Sequence, residues 1–310
     1  MPVDPQIQDI LDLMAGLPPA HTLSVAEARL RHEQRPKEGL RSPPIARSED
    51  RTIDGPGGRL RLRVYTPRGS GPFPLLAFFH GSGFVVASLD THDIMCRNLC
   101  AGAECVVVSV DYRLAPEGKF PAAPDDCLHA TRWAAEHARE LNADARRIAV
   151  AGDSAGGNLA AVAALRARDE GGPRLAAQLL IYPVTDYHEP GTPSYTENAE
   201  GFGLTRLQMQ WFWNHYLSDP SHAAHPHASP LRAESLRDLP PALVYSAQYD
   251  VLRDEAERYA DRLREAGVPV AFKRWDGMNH GFFAWTGRVD KATEAMDDAC
   301  AWLREAFTKA

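Results

Sequence analysis

Residues Gly152-Asp153-Ser154-Ala155-Gly156 set a serine between two glycines, each two positions away. A short apolar run, Arg147–Ala151, leads into this pattern, and an alanine-rich segment, Leu159–Arg168, follows it. Strand, very tight turn and helix in that order present a serine at the apex with Oγ projecting, as in a nucleophile elbow. The glycines have a physical reason to be there. Strand and helix pass so close at such a turn that Cβ atoms would collide, and glycine also tolerates unusual φ/ψ. The chemistry this permits is nucleophilic acyl transfer, if the chain also supplies a base, an acid and N–H donors. Gly-x-Ser-x-Gly alone also arises by chance in glycine-containing loops; the flanking strand and helix set this instance apart.

The other groups stand at the ends of other apolar runs. Leu75–Phe79 runs into His80-Gly81-Ser82-Gly83-Phe84, a glycine-rich turn able to aim backbone N–H groups at an oxyanion. His80 itself is expected to hydrogen-bond that turn into shape rather than act as a base. Ala242–Ser246 runs into Gln248–Glu255, where Asp250 is the acid nearest the strand end. Asp254 and Glu255 fall in the first turn of the next helix, where the macrodipole favours acids without any function. Past Val270–Arg274 comes Asp276–Phe283, with His280 in a short segment flanked by glycine and aromatics. His215, His222, His225 and His227 cluster in a polar stretch, but without clean ligand spacing they read as solvated loop, and no metal site is expected.

These groups need a scaffold that gathers strand ends. Strands are predicted at Leu75–Phe79, Cys105–Val110, Arg147–Ala151, Ala176–Tyr182, Ala242–Ser246 and Val270–Arg274, each short and apolar as in a buried parallel sheet. Between or after them lie helices near Thr91–Ala101, Ala122–Glu140, Ala155–Glu170, Arg253–Ala266 and Lys291–Thr308. The alternation predicts a doubly wound α/β sheet, with the Asp50–Pro67 hairpin as an antiparallel edge. Ligands bind beyond the carboxyl ends of such strands. Two regions break the rhythm. Residues 1–35 hold two helices, near Pro5–Gly16 and Ser24–Gln34; the first carries an apolar stripe of Ile7, Ile10, Leu11, Leu13 and Met14. Val184–Leu239 has no strand pattern but one aromatic helix, Thr205–Leu217, and an insertion of that length is often a lid.

Composition excludes several classes. The net charge of −7 over 310 residues gives no support for a nucleic-acid partner, which would need a basic patch. No apolar run approaches the roughly 18 residues that span a bilayer, and the acidic N-terminus is not expected to be a Sec signal peptide. Five cysteines, an odd set without framework spacing, read as free thiols in a reducing cytoplasm.

Ser154, Asp250, His280 is the chain order of α/β-hydrolases. Five motifs in order, His80–Phe84, Asp111-Tyr112-Arg113-Leu114-Ala115-Pro116-Glu117, Gly152–Gly157, Asp250–Glu255 and His280-Gly281-Phe282, resemble the bacterial hormone-sensitive-lipase-like carboxylesterases. The resemblance runs from about the linker to the C-terminus. It implies an α/β-hydrolase fold: a mostly parallel sheet, helices on both faces and a helical cap. The body would be residues 46–183 and 240–310, with cap helices at 1–45 and a cap insertion at 184–239. It further implies Ser154 as nucleophile, His280 as base, Asp250 as its orienter, and an oxyanion hole from the N–H groups of Ser82, Gly83 and Ala155. Gly81 is the alternative donor if the turn is read one residue earlier, and Asp111–Glu117 would brace the turn. Phe84, Phe202, Trp211, Phe212 and Phe283 are candidates to line the substrate pocket or to pack the cap. The implied activity is hydrolysis of short- to medium-chain esters by a cytoplasmic enzyme with no cofactor. A homodimer through the edge of the last strand also follows from the resemblance. The same triad could serve an amidase, a peptidase or a lipase; a non-catalytic receptor on this fold would have no reason to keep it. Two departures stand out: Ser82 replaces the second glycine of the usual His-Gly-Gly-Gly, and Asn279 precedes the base where the family is typically apolar.

Overall fold

The computed structural model describes residues 2–81 and 83–310. Its strands are β1 (Arg47–Gly55), β2 (Gly58–Thr66), β3 (Phe73–Phe79), β4 (Val106–Asp111), β5 (Ala143–Asp153), β6 (Ala177–Ile181), β7 (Ala242–Tyr249) and β8 (Val270–Asn279). The helices are α1 (Pro5–Met14), α2 (Val25–Glu33), α3 (Asp93–Gly102), α4 (Ala122–Glu136), α5 (Ala155–Asp169), α6 (Pro193–Glu197), α7 (Arg206–Tyr216), α8 (Arg253–Glu265) and α9 (Asp290–Lys309). All eight strands form one sheet in the order β1-β2-β4-β3-β5-β6-β7-β8. The β1–β2 hairpin joins antiparallel at one edge, and β4 through β8 run parallel. This is an α/β-hydrolase fold.

Side chains alternate across a strand, so a strand apolar at every position must be covered on both faces. That is what the centre of the sheet does. Leu75, Ala77 and Phe79 of β3 join one buried cluster with Val106, Val108 and Val150. Leu76 and Phe78 join the other, with Val107, Ala149 and Ala151.

Two strands extend beyond their apolar cores. β5 starts four residues before Arg147, through polar Asp144 and Arg146, because Ala143 pairs with Phe73. β8 continues five residues past Arg274. Asp276-Gly277 looks like a turn, but Gly277 takes φ +84° within the strand and the pairing register shifts opposite it, between Ala247 and Tyr249. A glycine inside a strand often marks such a bulge. The extension carries His280 to the sheet's carboxyl edge.

The N-terminal helices dock onto this frame. Asp4 caps α1 by accepting the Gln6 N–H, and its own N–H donates to the Gly277 carbonyl at 3.0 Å. Ile7 and Ile10 are buried, whereas Leu13 and Met14 at the helix end are exposed, so only the first part of the predicted stripe packs. α2 opens with a reciprocal Ser24/Glu27 capping box. From α2, Arg29 donates to the Val85 carbonyl at 2.8 Å and the Ala115 carbonyl at 2.9 Å, and pairs with Glu117 at 2.6 Å.

The segment between β6 and β7 contains α6, α7 and short 3-10 turns, with no strand among its residues. Asn158 of α5 donates to the carbonyls of Val184 and Ala228, fastening both limbs of the segment. Asp254 and Glu255 have more to do than balance a helix dipole. Asp254 accepts the Ser194 N–H at 2.8 Å, and buried Glu255 accepts those of Thr185 at 2.7 Å and Asp186 at 3.3 Å.

Candidate active site

Ser154 sits between the end of β5 and the start of α5 at φ 57° and ψ −119°, strained for a residue with a side chain. The neighbouring backbone holds it there. Its N–H donates to the Ile181 carbonyl at 2.8 Å, and its carbonyl accepts the Val184 N–H at 3.1 Å. A Cβ on Gly152 would lie 2.6 Å from the Phe79 carbonyl oxygen, and one on Gly156 as close to the Phe79 carbonyl carbon. Neither position admits a side chain.

Asp250 follows β7 and His280 follows β8, so all three groups stand at carboxyl ends of parallel strands. The Ser154 hydroxyl lies 2.9 Å from His280 Nε2, and His280 Nδ1 lies 2.7 Å from Asp250 Oδ2. A carboxylate only accepts, so Nδ1 carries the proton and Nε2 faces the serine as an acceptor. Asp250 is 1% exposed; its other oxygen accepts the Leu252 N–H at 2.9 Å. The Tyr182 ring, at 4.7 Å between centroids, packs against the imidazole. Asn198 donates to the Asp250 carbonyl at 3.0 Å, tying the inserted segment to the acid. Asn279, which precedes His280, donates to the Phe202 carbonyl at 3.0 Å and ties the same segment to β8.

Around the donor turn the structure separates roles. Gly81 donates its N–H to Asp153 Oδ1 at 2.8 Å, which takes it out of the set available to an oxyanion. Ser82 lies outside the described residues. Gly83 takes φ +55° directly beneath the Phe212 ring. Ala155 is the first residue of α5, where N–H groups have no intrahelical partner. The Asp111–Glu117 motif surrounds the turn. Tyr112 donates to the His80 carbonyl at 2.7 Å, Ala115 donates to the Phe84 carbonyl at 2.8 Å, and Arg113 pairs with buried Asp126 at 2.8 Å.

His80 differs from expectation. Neither ring nitrogen has a hydrogen-bond partner among the described residues; the ring stacks on Tyr112 at 4.3 Å and is fully buried. It shapes the turn by packing. Burial pushes its imidazole down to about 3. In the unfolded chain it takes a proton near 6.5. Its contribution to stability is therefore complete above that pH and is lost as pH falls towards about 3, by up to about 1.4 kcal/mol per pH unit. His80→Phe, which keeps a stacking ring, is expected to flatten the fall in unfolding free energy between pH 6 and 4. Urea titrations showing the wild-type slope in this variant would remove the assignment.

The aromatic candidates divide. Phe84 is buried and stacks on Tyr216 of α7 at 3.8 Å, joining the donor turn to the inserted segment. Phe283 is fully buried in the cluster containing Tyr245, on the far face of the sheet from α7. Phe202 is half-buried against Tyr249 at 4.6 Å. Trp211 and Phe212 are half-buried on α7, and Phe212 is the one set against the donor turn. Among the described residues no group of three or more His, Cys, Asp or Glu side chains could hold a metal; His222 and His225 flank Phe120 instead. Three neighbours of the triad escaped sequence reasoning: Tyr182, Asn198 and Asp153. Only Asp153 had a signal, its place inside Gly-Asp-Ser-Ala-Gly.

The fold, and a serine, histidine and acid aligned at its strand ends, define the α/β-hydrolase class. A family model described as an alpha/beta hydrolase fold matches residues 76–284, and the chain belongs to that family. The chain is 43% identical to the esterase LipI of Mycobacterium tuberculosis over 97% of this chain and 94% of the relative. It is 37% identical to an ethyl acetate hydrolase of Pseudomonas putida, over 90% and 89%. Among solved structures, a hyperthermophilic esterase from the archaeon Pyrobaculum calidifontis superposes with TM-score 0.93 at 43% identity, covering 98% of this chain and 99% of that one. An ester-hydrolase from the Lake Arreo metagenome, complexed with a bipyridine phosphonate derivative, gives TM-score 0.94 at 39% identity over 99% of both chains.

Proposed function

We propose that this chain is a serine carboxylesterase that hydrolyses short- to medium-chain carboxylic esters through an acyl-enzyme. The observation that carries the reading is the unbroken relay from Ser154 Oγ to His280 at 2.9 Å and on to Asp250 at 2.7 Å. Relatives named as esterases and as an ethyl acetate hydrolase support it, as does a structural neighbour complexed with a phosphonate derivative. Ser154 Oγ attacks the ester carbonyl while His280 Nε2 takes its proton, and Asp250 stabilises the imidazolium. Backbone N–H groups of Ser82, Gly83 and Ala155 receive the developing oxyanion. Collapse of the tetrahedral intermediate expels the alcohol, which takes the proton from His280. Water, deprotonated by the same imidazole, then attacks the acyl-enzyme and restores Ser154.

In this reading residues 1–45 and 184–239 cap a catalytic body of 46–183 and 240–310. Phe212, Trp211 and Phe202 border the acyl or alcohol pocket, whereas the burial of Phe84 and Phe283 supports packing roles. The cap favours small esters over long peptides. The five cysteines, all free and buried, support a reducing, cytoplasmic setting. No helix of the described residues is long and apolar enough to cross a membrane. β8, the terminal strand of the sheet, offers the edge for a homodimer. A series of p-nitrophenyl esters from acetate to palmitate, run beside emulsified triglyceride, tests the substrate class. kcat/KM is expected to peak between acetate and octanoate and to fall steeply at palmitate and on triglyceride. A maximum at palmitate or on the emulsion would replace the esterase by a lipase.

A further inference from the structure

Behind the donor turn lies a second imidazole–carboxylate contact that the mechanism does not use. Asp153, adjacent to the nucleophile, is 7% exposed, and so is His92. His92 Nε2 stands 3.3 Å from Asp153 Oδ1, the same oxygen that accepts the Gly81 N–H at 2.8 Å. A carboxylate only accepts, so the contact is attractive when Nε2 carries a proton. The far nitrogen, Nδ1, is held by the Thr91 hydroxyl at 2.9 Å, and that hydroxyl is fixed in turn by the backbone of Ser88. The His92 ring is clamped between His80 at 5.5 Å, Phe78 at 6.2 Å and His32 at 6.4 Å. Glycine at 81 is part of the arrangement: a Cβ there would lie 2.7 Å from the Asp153 carbonyl oxygen and 2.8 Å from its carboxyl carbon.

We propose that His92 and Asp153 form a positioning pair that anchors Gly81 and so fixes the direction of the N–H donors that follow it in the turn. The proposal rests on the hydrolase reading of the site. Burial alone would drive the Asp153 carboxyl up; the His92 imidazole and the hydrogen bonds from His92 and Gly81 outweigh it, and the carboxyl lies below its ordinary value. The anion is therefore kept where Gly81 needs an acceptor. Without His92 the carboxylate is left buried with one donor fewer, a state that favours its protonation or rotation. Either event loosens the first residue of the turn. Ground-state ester makes little use of those donors, whereas the tetrahedral oxyanion depends on them.

The test compares wild type, His92→Phe and His92→Gln on p-nitrophenyl butyrate and against an aryl trifluoromethyl ketone. That ketone adds to Ser154 as a hemiketal and needs the oxyanion donors but no leaving group. His92→Phe keeps the stacked ring and deletes the donor. It is expected to lower kcat about 10–100-fold, short of the roughly 10²–10³ for complete loss of a donor, with KM within about threefold and ketone affinity falling in parallel with kcat/KM. His92→Gln retains an N–H and is expected to recover at least half of the lost activity on a logarithmic scale. Unchanged ketone affinity in folded His92→Phe, or a loss carried by KM alone, would overturn the proposal. Should His92→Phe fail to fold, Thr91→Val, which releases Nδ1 together with the Ser88 N–H and carbonyl that share the hydroxyl, decides by the same two readouts: a parallel fall supports the proposal and unchanged values refute it. Absence of turnover in the wild type would instead defeat the esterase reading itself.

Discussion

Ser154→Ala is expected to abolish ester turnover, with kcat falling about 10⁶-fold while the protein keeps its fold. The two halves of that expectation have separate physical grounds. Activity fails because the attacking oxygen is gone, and the relay from His280 to Asp250 then has no proton to receive. The fold survives because nothing structural is asked of Oγ: among the described residues its one hydrogen bond is with His280 Nε2 at 2.9 Å. The strained φ of 57° is imposed from outside, by the Ser154 N–H on Ile181, the Ser154 carbonyl under Val184 and the close passage of Gly152 and Gly156 past Phe79. Alanine bears that strain as serine does. Initial rates on p-nitrophenyl butyrate, with far- and near-ultraviolet circular dichroism as a folding control, separate the two grounds. Retention of more than about 1% of wild-type kcat in a folded variant would be too much for a missing nucleophile, and the assignment would be lost.

What could be read from the chain beforehand follows from which interactions are local. Strands β3 to β7 announced themselves because a sheet buried on both faces needs continuous apolar runs, and such runs end where the chemistry sits. Ser154, Asp250 and His280 could be singled out for that reason: each follows such a run within a few residues. The limits were equally physical. Gly277 ends a strand by every local rule, yet β8 absorbs it in a bulge because Trp275 and Met278 still have core to fill. Glu255 obeys the helix-dipole rule and also grips Thr185 and Asp186, 70 and 69 positions away, which no spacing along the chain reveals. Phe283 and Phe212 are the same residue type near the same site. One is core and the other half-exposed, and only packing tells them apart. His80 was expected to hydrogen-bond the turn into shape, but its ring stacks instead, because Tyr112 brings a phenol face over it. Asp153 was visible as a letter of the motif and silent as a contact, since Gly81 is 72 residues distant.

Asp250→Asn carries the second large effect, about 10⁴-fold on kcat, and that effect runs through a single proton. Asp250 uses both oxygens: Oδ1 accepts the Leu252 N–H at 2.9 Å and Oδ2 accepts His280 Nδ1–H at 2.7 Å. An asparagine fits the same space but has only one carbonyl oxygen. Turned to offer its NH2 to Leu252, it would set donor against donor in a site 1% exposed, where an unsatisfied pair is costly. The amide oxygen therefore stays on Leu252 and the NH2 faces the imidazole. Nδ1 must then accept, which moves the ring proton to Nε2 and points it at Ser154 Oγ. A base already protonated on the side of its nucleophile cannot take a second proton without becoming a cation, and the neutral amide no longer stabilises that cation. KM is expected to stay within about threefold, because no contact that binds ground-state ester is removed. Asp254→Asn is the matched control: its carboxylate receives the Ser194 N–H at 2.8 Å and has no contact with His280, so kcat should stay near wild type. If Asp250→Asn cost less than about 100-fold, or Asp254→Asn cost as much, the orienting acid would have to be reassigned.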